Sequence, residues 1–151
     1  RNIRLIGKKE NENWTVGITD PDGDPEGKFP NGLVVLSLKE ANSIVTSGDY
    51  ERYYKAEDGN VYPHIVDPST MYPARLYRSV SIITEDLSTA LFTLDIDEGK
   101  KLLETYSKAS GKKCNAIWIT EDDKTQGHEG KKVGNYTVIY TDGIEEDILW
   151  N

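Results

Sequence analysis

Short apolar stretches, each fenced by Gly, Pro, Asp or Asn, recur along most of this chain, and only one region departs from that pattern. Stretches of that length suit strands, and the fences suit turns. Arg1 to Ile6 alternates weakly, and Trp14 to Ile18 (WTVGI) is a second short strand. Asp20 to Gly32 (DPDGDPEGKFPNG) is dense in turn formers and reads as an exposed loop. Leu33 to Leu38 (LVVLSL) is continuously apolar, as a strand covered on both faces must be. Ser43 to Tyr54 reads as one strand with Gly48 inside it, and a strand glycine marks a bulge or a close backbone approach. Asp58-Gly59-Asn60 then predicts a hairpin turn, with Val61 to Val66 as the returning partner and a stop at Asp67-Pro68. Arg78 to Thr84, Asn115 to Thr120 and Tyr136 to Thr141 complete the strands, and Glu121 to Gly134 reads as a polar loop.

The departure lies between Leu87 and Ser110. Leu87, Ala90, Leu91 and Leu94 recur at helical spacing. Asp95 with Glu98 three residues on forms a capping box that opens a second helix, which stops at Ser110-Gly111. Strands, a helix pair and strands again predict an α+β domain with a largely antiparallel sheet. At 151 residues this is one domain or one lobe of a larger protein. The chain opens on Arg1 rather than a methionine, so a piece of a longer protein is expected, with its targeting information unreadable.

Composition narrows the function. The net charge of -8 argues against a nucleic acid held through its phosphates. It is compatible with one phosphorylated small molecule if a metal ion supplies positive charge. The single cysteine, Cys114, can form no internal disulfide and no zinc-thiolate cluster. No apolar stretch approaches the roughly 18 residues of a membrane-spanning helix.

Several segments carry candidate chemistry. In Thr46-Ser47-Gly48-Asp49-Tyr50-Glu51-Arg52, hydroxyls, a glycine and charges share a strand; a solvated sheet face and a ligand-facing backbone at Gly48 both fit. His64 sits in a strand before Ile65-Val66-Asp67-Pro68, either structural or a proton shuttle or phosphate contact. Glu85 to Phe92 brings carboxylates and hydroxyls to the start of an apolar helix. There they serve as caps, or as oxygen ligands of the kind Mg²⁺ takes alongside substrate phosphates. The acidic loop from Asp20 to Glu26 lacks calcium-loop spacing and reads as a solvated turn.

These segments together resemble the carboxy-terminal half of the ApbE-type flavin transferases, the FAD:protein FMN transferases. N-I-R-L-I-G at Asn2 followed by W-T-V-G-I at Trp14, T-S-G-D-Y-E-R at Thr46, H-I-V-D-P at His64, and S-V-S-I-I at Ser79 followed by L-S-T-A-L-F at Leu87 match the family's stretches in order. The likeness covers roughly residues 1 to 120. It implies a T-fold-like lobe spanning 1–151, with the amino-terminal half absent from this sequence. It also implies transfer of FMN from FAD to a Thr or Ser hydroxyl of a partner flavoprotein, with release of AMP and dependence on Mg²⁺. An FAD pyrophosphatase giving FMN and AMP, or a non-catalytic flavin-binding module, are the alternatives.

Carried over by motif, Thr89 is the metal-ligating hydroxyl and Asp86 the nearest metal carboxylate. Ile65 lies against FAD, Thr46, Ser47 and Gly48 line the same pocket, and His64 assists proton transfer. The family places its Asp four residues before the Thr, where this sequence has Glu85; Asp86 is three before. Part of the family's usual stretch is missing between Glu85 and Leu87, either as a shortened metal loop or as residues absent from this sequence. Met71 stands where many members have Gly. Members are usually exported and lipid-anchored at the cell surface or in the periplasm, which is the location the resemblance implies.

Overall fold

The computed structural model describes residues 2–10, 12–40, 42–84 and 90–150. Its strands are β1 (Asn2–Arg4), β2 (Trp14–Ile18), β3 (Val34–Leu38), β4 (Ser43–Gly48), β5 (Tyr53–Lys55), β6 (Val61–Pro63), β7 (Val66–Asp67), β8 (Tyr72–Pro73), β9 (Ser79–Thr84), β10 (Cys114–Thr120), β11 (Lys131–Val133), β12 (Tyr136–Tyr140) and β13 (Ile148–Leu149). One α-helix, α1, spans Ile96–Ser110.

Three layers result. A six-stranded sheet in the order β1-β4-β9-β10-β12-β11 forms the middle, and a three-stranded sheet, β13-β3-β2, covers one face. Every pairing within both sheets is antiparallel. The other face carries α1 and a 3-10 turn at Ala90–Thr93. The central strands alternate in register with this layering, as a period of two requires. In β10, Ile117 and Ile119 enter the core between the sheets, while Ala116 and Trp118 enter the core under the helix. Strand β9 is buried at every position, including Ser79, Ser81 and Thr84. Ser81 is satisfied by Thr46, hydroxyl to hydroxyl at 2.8 Å, and Thr84 meets the Cys114 sulfur at 3.1 Å.

Helix α1 begins and ends where its caps require. The Asp95 carboxylate accepts from the Glu98 N–H at 2.7 Å, and Gly111 closes the helix at φ 69°. Gly99 faces Trp118 across the helix–sheet contact. A Cβ there would stand 3.2 Å from the indole, so the missing side chain lets the helix settle on the tryptophan. Among the described residues the expected helix pair is one α-helix preceded by a short 3-10 turn; the start of the first expected helix, Leu87 to Thr89, lies outside them. Leu91 and Phe92, adjacent in sequence, are both fully buried, which a tight turn achieves and one amphipathic face does not. The junction is stapled from outside: Gln126 accepts from the Ile96 N–H at 2.9 Å and donates to the Tyr77 hydroxyl at 3.2 Å, which donates to Leu94 O at 2.9 Å. Burial pushes the Tyr77 phenol up to about 12, against the pull of the Gln126 hydrogen bond.

Two further expectations are corrected. Ser43 to Tyr54 is not one strand: β4 ends at Gly48, the chain turns through Asp49–Arg52, and β5 starts at Tyr53. Similarly, the loop from Glu121 to Gly134 contains β11, an edge strand that pairs Lys131, Lys132 and Val133 with β12. The loop from Asp20 to Gly32 is present and is clamped at its base. A Cβ on Gly17 would lie 1.9 Å from the Asn31 carbonyl oxygen, and one on Gly32, at φ 108°, would lie 2.7 Å from the Ile18 oxygen. Only glycines allow the backbones to touch there.

Candidate functional site

The β4–β5 turn owes its course to Gly48. Tyr50 folds its ring back over that residue, so a Cβ on Gly48 would meet Tyr50 Cε1 at 2.5 Å. Beyond it the Asp49 N–H donates to Arg78 O at 3.1 Å, which pulls the chain out of the sheet. The turn therefore faces the open end of β4 instead of extending it.

A cleft of about 500 Å³ opens at that place. Thr46, Ser47 and Gly48 line it from β4, Tyr50, Glu51 and Arg52 from the turn, Asn2 and Ile3 from β1, Gly17 and Ile18 from β2 with Thr19 beyond, and His64 from the segment after β6. Four of the residues singled out in the sequence (Thr46, Ser47, Gly48 and His64) thus share one wall system. Ile65 does not line this cleft; it is half-buried against the core under the helix, and its carbonyl accepts from the Ala74 N–H at 2.8 Å. Asp86 and Thr89 lie outside the described residues. Among the described residues no group of three or more His, Cys, Asp or Glu side chains converges to hold a metal ion.

The orientation of His64 is fixed by the same turn. Its backbone N–H donates to Arg52 O at 3.1 Å, and its ring Nδ1 meets that oxygen at 3.0 Å. A carbonyl only accepts, so Nδ1 carries the proton. In the neutral ring this leaves the lone pair on Nε2. A ring held in that tautomer can take a proton at Nε2 from a hydroxyl in the cleft.

Arg52, Tyr50 and Asn2 were not singled out as site residues from sequence. The signal for Arg52 was present in Thr46 to Arg52, but strict alternation through Gly48 hid the turn that brings it to the cleft.

A second cavity, about 210 Å³, lies behind the turn between Asp49, Arg75, Arg78, Glu121 and Lys124. Its charges answer one another. Lys124 pairs with Glu121 at 2.5 Å, Arg75 donates to Val61 O and lies over the Tyr62 ring, and Arg78 reaches both Asp49 (3.4 Å) and Asp22 (3.6 Å). Asp49 Oδ1 and Arg78 Nε are enclosed and form no hydrogen bond, so they meet as an ion pair only. Burial raises the Asp49 carboxyl above the ordinary carboxylate range, with Arg78 opposing. We assign this cavity a structural role, because its charges are already matched, and treat the open cleft as the functional candidate.

Comparison with known proteins agrees with the motifs around that cleft. The family model described as the ApbE family matches residues 1–112. The chain belongs to the ApbE family. Among curated ApbE relatives, an FAD:protein FMN transferase of Treponema pallidum is 36% identical over 124 residues, covering 78% of this chain and 31% of its own. A protein of the same name from Klebsiella pneumoniae is 32% identical over 128 residues, covering 80% of this chain and 35% of its own. The chain therefore spans about a third of the length of these relatives. The crystal structure of an ApbE protein from Thermotoga maritima aligns with 97% of this chain and 42% of that one, at 29% identity and a TM-score of 0.67. The layered antiparallel architecture is thus an α+β fold shared with that family.

Met71 is explained by this geometry. It sits at φ 59° in the turn joining β7 to β8, where its N–H donates to Asp67 O at 2.8 Å. That left-handed position favours glycine, the residue the family resemblance leads one to expect.

Proposed function

We propose that this chain is part of an FAD:protein FMN transferase, moving FMN from FAD to a Thr or Ser hydroxyl of a partner flavoprotein. The observation that carries the reading is the convergence of the motif residues Thr46, Ser47, Gly48 and His64 on one cleft, in a chain whose curated relatives bear that enzyme's name. In this reading the acceptor hydroxyl oxygen attacks the FMN-side phosphorus. The bond from that phosphorus to the bridging oxygen breaks, and AMP leaves with that oxygen. His64, held through Nδ1, receives the hydroxyl proton at Nε2. Gly48 leaves room for the Tyr50 ring at the cleft wall, and the Ser47 hydroxyl, without a partner among the described residues, is available to the ligand. Mg²⁺, held by Thr89 and Asp86, would neutralise charge on the transferred phosphoryl group. An exported, lipid-anchored location belongs to the same reading, and cell fractionation tests it.

The decisive assay supplies FAD and a flavoprotein domain carrying an acceptor Thr, with and without Mg²⁺. Flavin fluorescence that stays on the denatured acceptor is expected only with Mg²⁺. Free FMN and AMP with an unlabelled acceptor would instead identify a pyrophosphatase. Bound FAD without turnover would identify a flavin-binding module. Thr89→Ala should lower transfer and weaken its Mg²⁺ dependence; unchanged transfer refutes the metal assignment.

A further inference from the structure

Among the described residues lining the cleft, Arg52 is the one arginine or lysine and Glu51 the one carboxylate, in a chain with net charge -8. A ligand bearing phosphate meets an unfavourable field from such a protein unless the site itself compensates. Arg75 and Arg78, which line the cavity behind the turn, are held by a carbonyl, carboxylates and aromatic rings. Among the described residues no carboxylate pairs with the Arg52 guanidinium. Its backbone, by contrast, is anchored, because both the N–H and the ring of His64 hydrogen-bond to its carbonyl. A guanidinium fork can bind phosphate oxygens through two parallel hydrogen bonds.

We propose that Arg52 is a specificity-determining residue of the cleft that contacts the diphosphate of the bound dinucleotide, selecting a diphosphate ligand over flavins that lack one. The assignment rests on the flavin-transferase reading for the identity of the dinucleotide. Its physical core, a diphosphate site at Arg52, can be tested without turnover. The Arg52 carbonyl also holds the His64 N–H and ring, so both residues are carried by one turn.

The experiment titrates inorganic pyrophosphate, FAD and riboflavin separately into the protein, and into Arg52→Gln and Arg52→Lys, by calorimetry at fixed ionic strength. Circular dichroism checks that each variant is folded. Arg52→Gln should weaken pyrophosphate and FAD at least tenfold and leave riboflavin within twofold. Arg52→Lys should fall between, because an ammonium replaces the fork by a point charge. Pyrophosphate binding equal in the parent protein and Arg52→Gln overturns the proposal, as does an equal loss for riboflavin. Arg52-dependent pyrophosphate binding by a protein that performs no FMN transfer would support the site while refuting the transferase reading. A protein that binds neither pyrophosphate nor FAD overturns both.

Discussion

Replacing Arg78 by methionine should cost this fold more than a typical neutral hydrogen bond, and the cost should depend on pH. Arg78 is only 26% exposed along its side chain and Asp49 18%, with Nε and Oδ1 3.4 Å apart. At an effective dielectric near 20 that separation corresponds to about 5 kcal/mol of attraction, most of which the desolvation of the two ions offsets. The net worth of the pair is therefore small, but the cost of breaking it is not. Arg78→Met leaves the Asp49 carboxylate enclosed without a counter-ion, a change that costs about 3 kcal/mol for well-buried pairs and about 2 here given the residual exposure. The Asp49 carboxyl already titrates above its unfolded value because burial disfavours its charge. As pH rises from the ordinary carboxylate range through that raised value, the native state holds the proton longer than the unfolded chain does. This residue's contribution to stability accordingly falls over that window. Removing Arg78 raises the carboxyl further and widens the window. The penalty in Arg78→Met should thus be full near pH 7 and shrink as the pH drops and Asp49 protonates. Urea unfolding of the parent, Arg78→Met, Asp49→Asn and the double variant at about pH 7 and about pH 4 measures this, and the double-mutant cycle isolates the pair from the Asp22 contact. A penalty independent of pH, or a coupling energy near zero at neutral pH, refutes the reasoning.

Two further substitutions test the β7–β8 and β4–β5 turns. Met71→Gly should raise the urea midpoint, by up to about 1 kcal/mol of stability, since relief of a left-handed methionine exceeds the extra unfolded-state entropy of glycine; a lower midpoint contradicts this. Gly48→Ala should cost about 1–3 kcal/mol and weaken FAD binding together, because the Tyr50 ring must leave its place over the cleft wall; a thermal melt and a flavin titration matching the parent protein would show that the ring gives way freely.

The layering was legible where each residue's own period decided its burial. Trp14–Ile18 forms a strand over the expected bounds, and the capping box at Asp95 and the stop at Gly111 behave as their side chains require. The break after Gly48 was not legible. It depends on an aromatic ring folding back from Tyr50 and on a hydrogen bond from Asp49 to Arg78, distant in sequence, neither of which alternation encodes. The same limit hid Lys131–Val133, whose polar outer face suits an edge strand as well as it suits a loop. At the candidate site, the motif residues identified themselves through resemblance, and four of the seven named residues meet in one cleft. Ile65 faces a core instead, and Arg52 emerged only once the turn was seen.

The clamp between Gly17 and Gly32 divides the loop above it into parts with different evolutionary freedom. From Asp20 to Phe29 the chain bonds mainly to itself: Asp20 to the Asp22 N–H, and Asp24 to the N–H groups of Lys28 and Phe29. The exposed tip, Pro25 to Gly27, can be exchanged and even lengthened, whereas Asp22 is tied to Arg78 and Phe29 packs on the core between the sheets. At the base no side chain can be accommodated at Gly17 or Gly32, and β2, through Gly17 and Ile18, is itself a wall of the cleft. Lineages descending from this chain should therefore vary the loop's tip in length and charge, and with it what approaches the cleft mouth, while the cleft's width stays fixed by two residues that have no side chain to change.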